Sequence, residues 1–174
     1  MIGRLCLSLT LPLVFGAAGD DLPKDWKPLT SKEGGFSVVM PGNPNDGKRQ
    51  VKTPAGTIEV NFYLAEVKDQ GSYVVVFSEF PAAALQGGTD DKRLDNARDG
   101  AVASAKGKLK SEKKITLAGH PGRELLIDGE AMTGVRTRIF AVKNRLYQTM
   151  AAGSKTFLQA KETNQFLDSF KLIK

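Results

Sequence analysis

A change in hydrophobic spacing near residue 88 is the feature that most constrains the fold of this chain. Residues 72–80, SYVVVFSEF, are nearly all β-branched or aromatic, which predicts a central strand covered on both faces. Residues 89–107 contain no aromatic side chain and repeat small apolar residues at helical spacing, namely Leu94, Ala97, Ala101 and Ala105. A helix is therefore predicted from about Asp90 to Lys106. Because its apolar stripe consists of mostly small side chains, this helix is expected to lie close to a sheet.

Strand patterns lie on both sides of this helix. FSVVM at 36–40 predicts a buried strand, followed by a loop at PGNPNDG. The next two strands form a predicted hairpin around residues 54–56. In its second arm one face is expected to be buried: Ile58, Val60, Phe62 and Leu64. After the helix, four more strands are predicted, and the last two are separated only by Lys143-Asn144.

A final helix is predicted to begin at Ser154, whose hydroxyl suits an N-cap, although residues 161–164 weaken its middle. The short links between strands favour a mostly antiparallel sheet, and the grouping of strands and helices indicates an α+β fold with helices packed on a central sheet. At 174 residues the chain is expected to hold a single domain, residues 35–174, preceded by a polar lead at 19–34 in which Trp26 contacts the core.

The first residues resemble a secretory signal peptide. Arg4 precedes the apolar run LCLSLTLPLVFGAA, and Gly16 and Ala18 suit a small-residue cleavage site, so a signal peptide at 1–18 is predicted. The run is shorter than the roughly 20 apolar residues of a spanning helix. The protein is thus predicted to be exported, periplasmic or extracellular, with no membrane span after cleavage; an uncleaved anchor is the alternative.

The sole cysteine, Cys6, lies inside this segment, so the mature chain holds no cysteine. Disulfides, cysteine nucleophiles and thiolate metal sites are excluded for the mature chain. The formal charge of +6 loses Arg4 with the signal, which leaves 24 basic and 19 acidic residues, or +5. The lysines at 106–114 suit either an anionic partner or an edge strand protected against pairing. Nucleic acid is not expected, because no aromatic residue is interleaved with these lysines.

The only histidine, His120, lies in ITLAGHPGREL at 115–125 and is expected at the exposed apex of a glycine-proline turn. One imidazole argues against a Ser-His-Asp triad and against histidine-ligated metals. The glycine-rich QGGT and EGGF lack the P-loop lysine. No catalytic residue, cofactor or metal is therefore assigned.

Charged residues after this turn give two functional hypotheses. Glu124 and Asp128 would share one strand face, and a carboxylate beside Arg136 or Arg138 is expected to form a cross-strand ion pair. The first hypothesis is a non-catalytic domain that binds an unidentified protein or anionic envelope component. Its candidate partner-binding residues are His120, Arg123, Arg136, Arg138 and Tyr147. The alternative is a small secreted hydrolase, which requires two convergent carboxylates in a pocket, with a raised pKa.

The order of these segments resembles the PsbP-like proteins, from Trp26 to Leu172. The resemblance is carried by GGFSVVMPGNP, SYVVVFSEFP, LDNARDG, ITLAGHPGREL, RTRIFAVKNRLYQTMAAG and FLDSFKL. It implies a central antiparallel sheet with helices packed on it in an α/β/α sandwich. Members of this group include an extrinsic photosystem subunit and partners of a small GTPase, so the resemblance implies binding without turnover. A fold does not by itself carry a function, and no specific role is transferred.

Overall fold

The computed structural model describes residues 22–53, 56–86, 88–130 and 133–173. The predicted signal peptide lies outside the described residues. The strands are β1 (Trp26–Ser31), β2 (Phe36–Pro41), β3 (Asn45–Thr53), β4 (Gly56–Val67), β5 (Gly71–Glu79), β6 (Lys108–Leu117), β7 (His120–Asp128), β8 (Thr133–Val142), β9 (Arg145–Ser154) and β10 (Lys171–Leu172). The helices are α1 (Ala82–Leu85), α2 (Asp90–Ser104), α3 (Lys155–Gln159) and α4 (Lys161–Ser169).

The strands of the described residues form two sheets. The larger has seven strands in the order β3-β4-β5-β9-β8-β7-β6, and the smaller has three in the order β1-β2-β10. Each pairing among the described strands is antiparallel, which confirms the predicted mostly antiparallel architecture. The lysine-rich β6 lies at one edge of the larger sheet, as one of the two interpretations of that stretch requires.

Alternation along the strands gives the larger sheet two different faces. The aromatic face is the one that carries Tyr73, Phe77, Phe140 and Tyr147, which meet through the registers of β5, β8 and β9. The opposite side, here the α2 face, carries Leu125 and Ile127 of β7 together with Ile139 of β8. Successive residues of each strand therefore enter different environments.

Phe36 of β2 is at the centre of the core on the aromatic face. It is 0% exposed, and its ring contacts those of Tyr63, Phe77, Tyr147 and Phe170 at centroid distances of 5.3–6.2 Å. The smaller sheet and α4 bring further apolar side chains to the same core. Trp26 of β1 packs edge-on against Tyr73 at 5.2 Å, so the predicted polar lead supplies a strand that contacts the core.

Helix α2 matches the prediction closely. Thr89 caps its start, where the hydroxyl accepts a hydrogen bond from the Lys92 amide at 3.2 Å. After the helix the chain turns at Lys106, which has a φ of +46°. Leu94 is buried with Leu125 and Ile127, and the predicted small residues pack around them. The helix contacts β7 and β8, so its small side chains allow the expected close approach to the sheet.

Three local predictions need correction. Asn45 and Asp46, expected in a loop, begin β3 opposite Leu64 and Tyr63 of β4. The strand at 71–79 is fully buried on one face only, because Val74 and Val76 on its second face are partly exposed, although Ser78 on that face is buried. The final helix is two helices, since Ala160 adopts an extended conformation with a ψ of 153°.

The predicted capping role of Ser154 is confirmed at α3. Its hydroxyl accepts a hydrogen bond from the Phe157 amide at 3.2 Å. The strand β10 after α4 was not predicted, and it pairs with Ser37 and Phe36 of β2.

The glycine-proline turn lies earlier than predicted. Ala118 and Gly119 form it, with φ values of +48° and +84°, as a type I′ hairpin turn requires at both central positions. His120 is the first residue of β7 and pairs with Leu117. The expectation of an exposed histidine at the apex was therefore wrong, since His120 is partly buried in a strand.

Candidate functional site

Arg123 and Glu124 follow the turn as neighbours in β7, and strand alternation sends them to opposite faces of the sheet. Arg123 lies on the α2 face with Leu125. Glu124 lies on the aromatic face beside Arg138, its register partner on β8. Each is the centre of a separate ionic cluster, and each cluster joins a different helix to the sheet.

The Arg123 cluster holds α2. Arg123 is 8% exposed, and its guanidinium donates to Glu112 of β6 at 2.6 Å. It also donates to Asp91 at 2.9 Å and Asp95 at 3.2 Å on α2. Arg98 of α2 contacts two of the same carboxylates, those of Asp95 and Glu112. Charge-assisted hydrogen bonds in this number hold the helix in place over β7 and β8.

The Glu124 cluster holds α4. Glu124 accepts hydrogen bonds from Arg138 Nε at 2.6 Å and Arg136 Nη2 at 3.1 Å. Arg138 Nη1 donates to the Leu167 carbonyl at 3.0 Å and contacts the Asp168 carboxylate at 2.7 Å, and Arg136 Nη1 donates to Asn164 at 2.7 Å. Arg138 thus places its positive charge at the C-terminal end of α4, where the helix dipole favours it.

These contacts determine the protonation of Glu124. Burial acts to raise the pKa of its carboxyl, but the hydrogen bond and charge of Arg138, and then those of Arg136, outweigh burial and lower the pKa below its ordinary value. Glu124 is therefore held as a carboxylate. Its environment is the reverse of one that raises a pKa for general-acid chemistry.

A cavity of about 310 Å³, here the α4 cavity, lies next to this cluster on the aromatic face. It is lined by Ile115, Thr116 and Leu117 of β6, by Arg138 and Phe140 of β8, and by Leu167, Asp168 and Phe170 at the end of α4. His120 pairs with Leu117 at its margin. The wall of the cavity is about half apolar and half polar, with Thr116 and the Arg138–Asp168 pair in the polar part, and Asp168 is the one carboxylate among its described lining residues.

The α2 face holds a second cavity of about 330 Å³ near the C-terminal end of α2. Small and aliphatic residues line it, among them Ala105, Gly134, Val135 and Ala152, and none of its described lining residues is charged.

Beyond that cavity the α2 face carries a set of large apolar side chains on β4, β5 and β9. We call these residues the apolar strip: Phe62, Leu64, Val74, Val76 and Met150. Register pairs them directly, Phe62 with Val76, Leu64 with Val74, and Val74 with Met150. All five are partly exposed and belong to neither core cluster. Ile58 and Val60 on the same face are buried, so the predicted buried face of this arm is correct for only half of its residues.

The five predicted partner-binding residues do not form one surface. His120, Arg136 and Arg138 lie on the aromatic face near the α4 cavity, whereas Arg123 lies on the α2 face. Tyr147 is 3% exposed, and its hydroxyl donates to the Gly34 carbonyl at 2.7 Å. The three arginines bind acidic or amide groups of the protein itself, which favours a structural role. Their role in partner binding stays a prediction.

The apolar strip was not predicted from the sequence, for an identifiable reason. Alternating apolar residues show that a strand has an apolar face, but they do not show whether a neighbouring element is wide enough to cover it. The one signal in the sequence was the shortage of helices: a single long helical pattern between residues 36 and 153 is too little to cover one face of seven strands.

Two further features bear on the class of site. The described ranges contain no group of three or more histidine, cysteine, aspartate or glutamate side chains arranged to hold a metal ion. Within the same ranges, no helix is both long and apolar enough to cross a membrane.

Comparison with known proteins places the fold. No family model matches the chain, and no curated protein matches it in sequence. The solution structure of cyanobacterial PsbP (CyanoP) from Synechocystis sp. PCC 6803 is similar, with a TM-score of 0.59 at 10% identity, over 91% of this chain and 98% of that one. The crystal structure of PA94 from Pseudomonas aeruginosa, a protein of unknown function, has a TM-score of 0.43 at 13% identity, over 80% of this chain and 90% of that one. The similarity to CyanoP confirms a PsbP-like fold.

Proposed function

We propose that this PsbP-like fold serves as a non-catalytic, exported accessory domain that binds a protein partner on the apolar strip. Export is proposed from the signal-like segment at 1–18. We also propose that α2 and α4, attached to opposite faces of β7 and β8, make the α/β/α sandwich that the family resemblance implies.

The observation that carries the proposal is the position of the apolar strip. Five large apolar side chains are contiguous across three adjacent strands and remain partly exposed. Scattered apolar residues are normal on a protein surface, but a contiguous exposed set is typical of an interaction site. The ring of Phe62 lies over Gly47 of the neighbouring strand β3. A Cβ on Gly47 would come within 2.6 Å of this ring. The strip thus offers a broad, uncharged surface to a partner.

One charged group indicates the chemistry of that partner. Arg93 and Asp95 are two positions apart on α2, about 200° around the helix axis. Because Asp95 faces Arg123, Arg93 lies on the other flank, toward β9 and the strip. Arg93 binds Asp90 through Nη2, but its Nη1 is buried without a hydrogen-bond partner. A partner with apolar side chains and one carboxylate would cover the strip, and its carboxylate would bind this nitrogen once the Arg93 side chain turns outward.

Two features support a non-catalytic role over the alternative of a hydrolase. Glu124, the most enclosed carboxylate near a cavity, has a lowered pKa because two arginines bind it. The described lining residues of the two cavities include one carboxylate, Asp168, whereas a glycosidase-type mechanism uses two.

Site-specific photo-cross-linking in the native envelope tests the proposal. A photoreactive residue at Met150 is expected to capture a defined protein, identified by mass spectrometry, that also binds the purified domain. Val76→Asp places a charge in the strip and is expected to weaken that binding by about tenfold or more. Gln50→Asp adds the same charge at an exposed position of β3 on the other face and serves as the matched control.

Arg93→Gln is expected to weaken binding by a smaller factor, because it removes one charge-assisted contact. Capture of a second copy of this chain would identify the strip as a dimer interface and contradict the proposal. Equal loss of binding in Gln50→Asp would show that the effect is not specific to the strip.

A further inference from the structure

The α4 cavity has walls that suit the apolar body of a small molecule. The rings of Phe140 and Phe170 lie parallel, with centroids 6.1 Å apart, and the aliphatic side chains of Ile115 and Leu117 of β6 also line the cavity. Gly122 of β7 lies between Ile115 and Phe140 in the sheet register. A Cβ at Gly122 would collide with the Phe140 ring and would lie 2.6 Å from the Ile139 carbonyl oxygen. Because Gly122 has no side chain, the Phe140 ring can occupy its position in the cavity wall.

The size of the cavity limits the ligand. Pockets that enclose small organic ligands have volumes of about 300–1,000 Å³. At about 310 Å³, the α4 cavity is at the lower end of this range. A single ring or a short aliphatic chain with one polar end would fit, whereas a nucleotide or a folded peptide would not.

Arg138 and Asp168, the charged residues among the described lining of the cavity, belong to a larger group of charges that is positive overall. Lys113 and Arg138 flank Glu124 in the sheet register, and Arg136 binds it from the next position on the same face. With Asp168, these five side chains carry three positive and two negative charges, or +1. An anionic group is therefore favoured next to these side chains.

The contact between Arg138 and Asp168 is the one that a ligand can replace. The Asp168 side chain is 64% exposed, whereas that of Arg138 is 20% exposed. Ion pairs with an exposed partner contribute little to stability, so Asp168 can turn into solvent at small cost. A carboxylate that enters the cavity would then bind the guanidinium in a less hydrated place, while Glu124 keeps its contact with Nε.

We propose that the α4 cavity is a binding site for a small organic carboxylate with an apolar body, whose carboxylate replaces Asp168 at Arg138. The site is on the opposite face of the sheet from the apolar strip, so it is independent of the proposed protein partner.

Titration of the purified protein with 3-phenylpropionate, followed by amide NMR shifts and calorimetry, tests the site. Octanoate provides a second apolar body, and 3-phenylpropionamide provides the uncharged counterpart of the first. The carboxylates are expected to shift the amide signals of Leu117 and Phe170, and the amide is expected to bind about tenfold more weakly or worse. Absence of these shifts with both carboxylates at millimolar concentration would overturn the proposal, and so would equal binding of the amide.

Asp168→Asn provides the sharper test, because it removes the competing carboxylate from an exposed position and leaves the walls intact. It is expected to tighten carboxylate binding by about threefold to fivefold. Asp99→Asn, at an exposed aspartate of α2, is the matched control and is expected to leave the affinity unchanged. Weaker or unchanged binding in Asp168→Asn would show that the ligand does not take the place of Asp168. Val76→Asp is expected to bind carboxylates normally, which separates this site from the apolar strip.

Discussion

The two faces of the large sheet are covered in different ways. On the aromatic face, the small sheet, α3 and α4 surround a core of aromatic rings that extends across β4, β5, β8 and β9. On the α2 face, one helix with small side chains packs on β7 and β8 around Leu94. The first face is stabilised by large side chains that interlock, and the second by close approach of a narrow helix.

This difference accounts for the partial exposure of the apolar strip. A helix is about 10 Å across, and neighbouring strands are about 4.8 Å apart, so one helix covers about two strands. Helix α2 lies over β7 and β8, and Arg123 holds it on the β6 side of the sheet. The strip on β4, β5 and β9 is therefore beyond its reach, although its residues are as apolar as those of a core.

The largest effect is expected from Phe36→Ala, because this ring is fully buried and contacts four other rings. Loss of the ring and the cavity it leaves should lower the free energy of unfolding by about 3–5 kcal/mol. Ala101→Gly on α2 should cost only about 1 kcal/mol, mainly through helix propensity. Urea unfolding of both variants measures the difference, and equal losses would show that the two faces do not differ in this way.

The next largest effect concerns the attachment of α2. Arg123→Met keeps much of the buried stem but removes the charge that binds Glu112, Asp91 and Asp95. Because Arg123 is buried and its partners are partly exposed, we expect a loss of about 2–3 kcal/mol. Hydrogen exchange should increase in α2 and remain slow in β5. Uniformly faster exchange would contradict the idea that Arg123 acts mainly on one helix.

Patterns that depend on neighbouring residues were predictable from the sequence. The bounds of α2, the hairpin at Lys143-Asn144 and the cap at Ser154 follow from spacing, turn residues and a hydroxyl at the right position. The antiparallel order follows from the short links between strands. The fold class could be predicted from little more than these local signals.

Apart from local errors at the turn before His120 and at the helix break at Ala160, the failures depend on pairings between distant segments. The small sheet joins residues near 30, 38 and 171, and no local pattern indicates that Lys171 pairs with Ser37. The candidate residues Arg123 and Arg136 were grouped by charge, but a residue's face depends on the register of its strand, which the sequence alone did not determine. The apolar strip was missed because coverage is a property of the assembled layers.

A smaller effect is expected from adjacent valines of β5. Val75 is 0% exposed on the aromatic face, and Val76 is partly exposed in the apolar strip. Val75→Thr buries a hydroxyl and should lower the free energy of unfolding by about 1–2 kcal/mol. Val76→Thr makes the same chemical change where water can reach the hydroxyl, so a loss below about 0.5 kcal/mol is expected. Similar losses in denaturant unfolding would show that the strip is buried in solution.

The smallest effect concerns pH and the attachment of α4. Because Arg138 and Arg136 outweigh burial and lower the pKa of Glu124 in the folded state, its carboxylate stabilises the fold at neutral pH. This contribution is complete above the unfolded pKa of about 4.3 and is lost as pH falls through the lower folded value. Glu124→Gln should therefore be less stable than the natural protein by about 1 kcal/mol at neutral pH.

The stability gap between Glu124→Gln and the natural protein should narrow below about pH 4. Unfolding curves of both proteins from neutral to acid pH measure it, with Glu66→Gln at an exposed position of β4 as the control. A gap that stays constant with pH would mean that packing, and not the ionised pair with the arginines, accounts for the contribution of Glu124. In that case the two arginines would attach α4 through Leu167, Asp168 and Asn164 without help from the charge of Glu124.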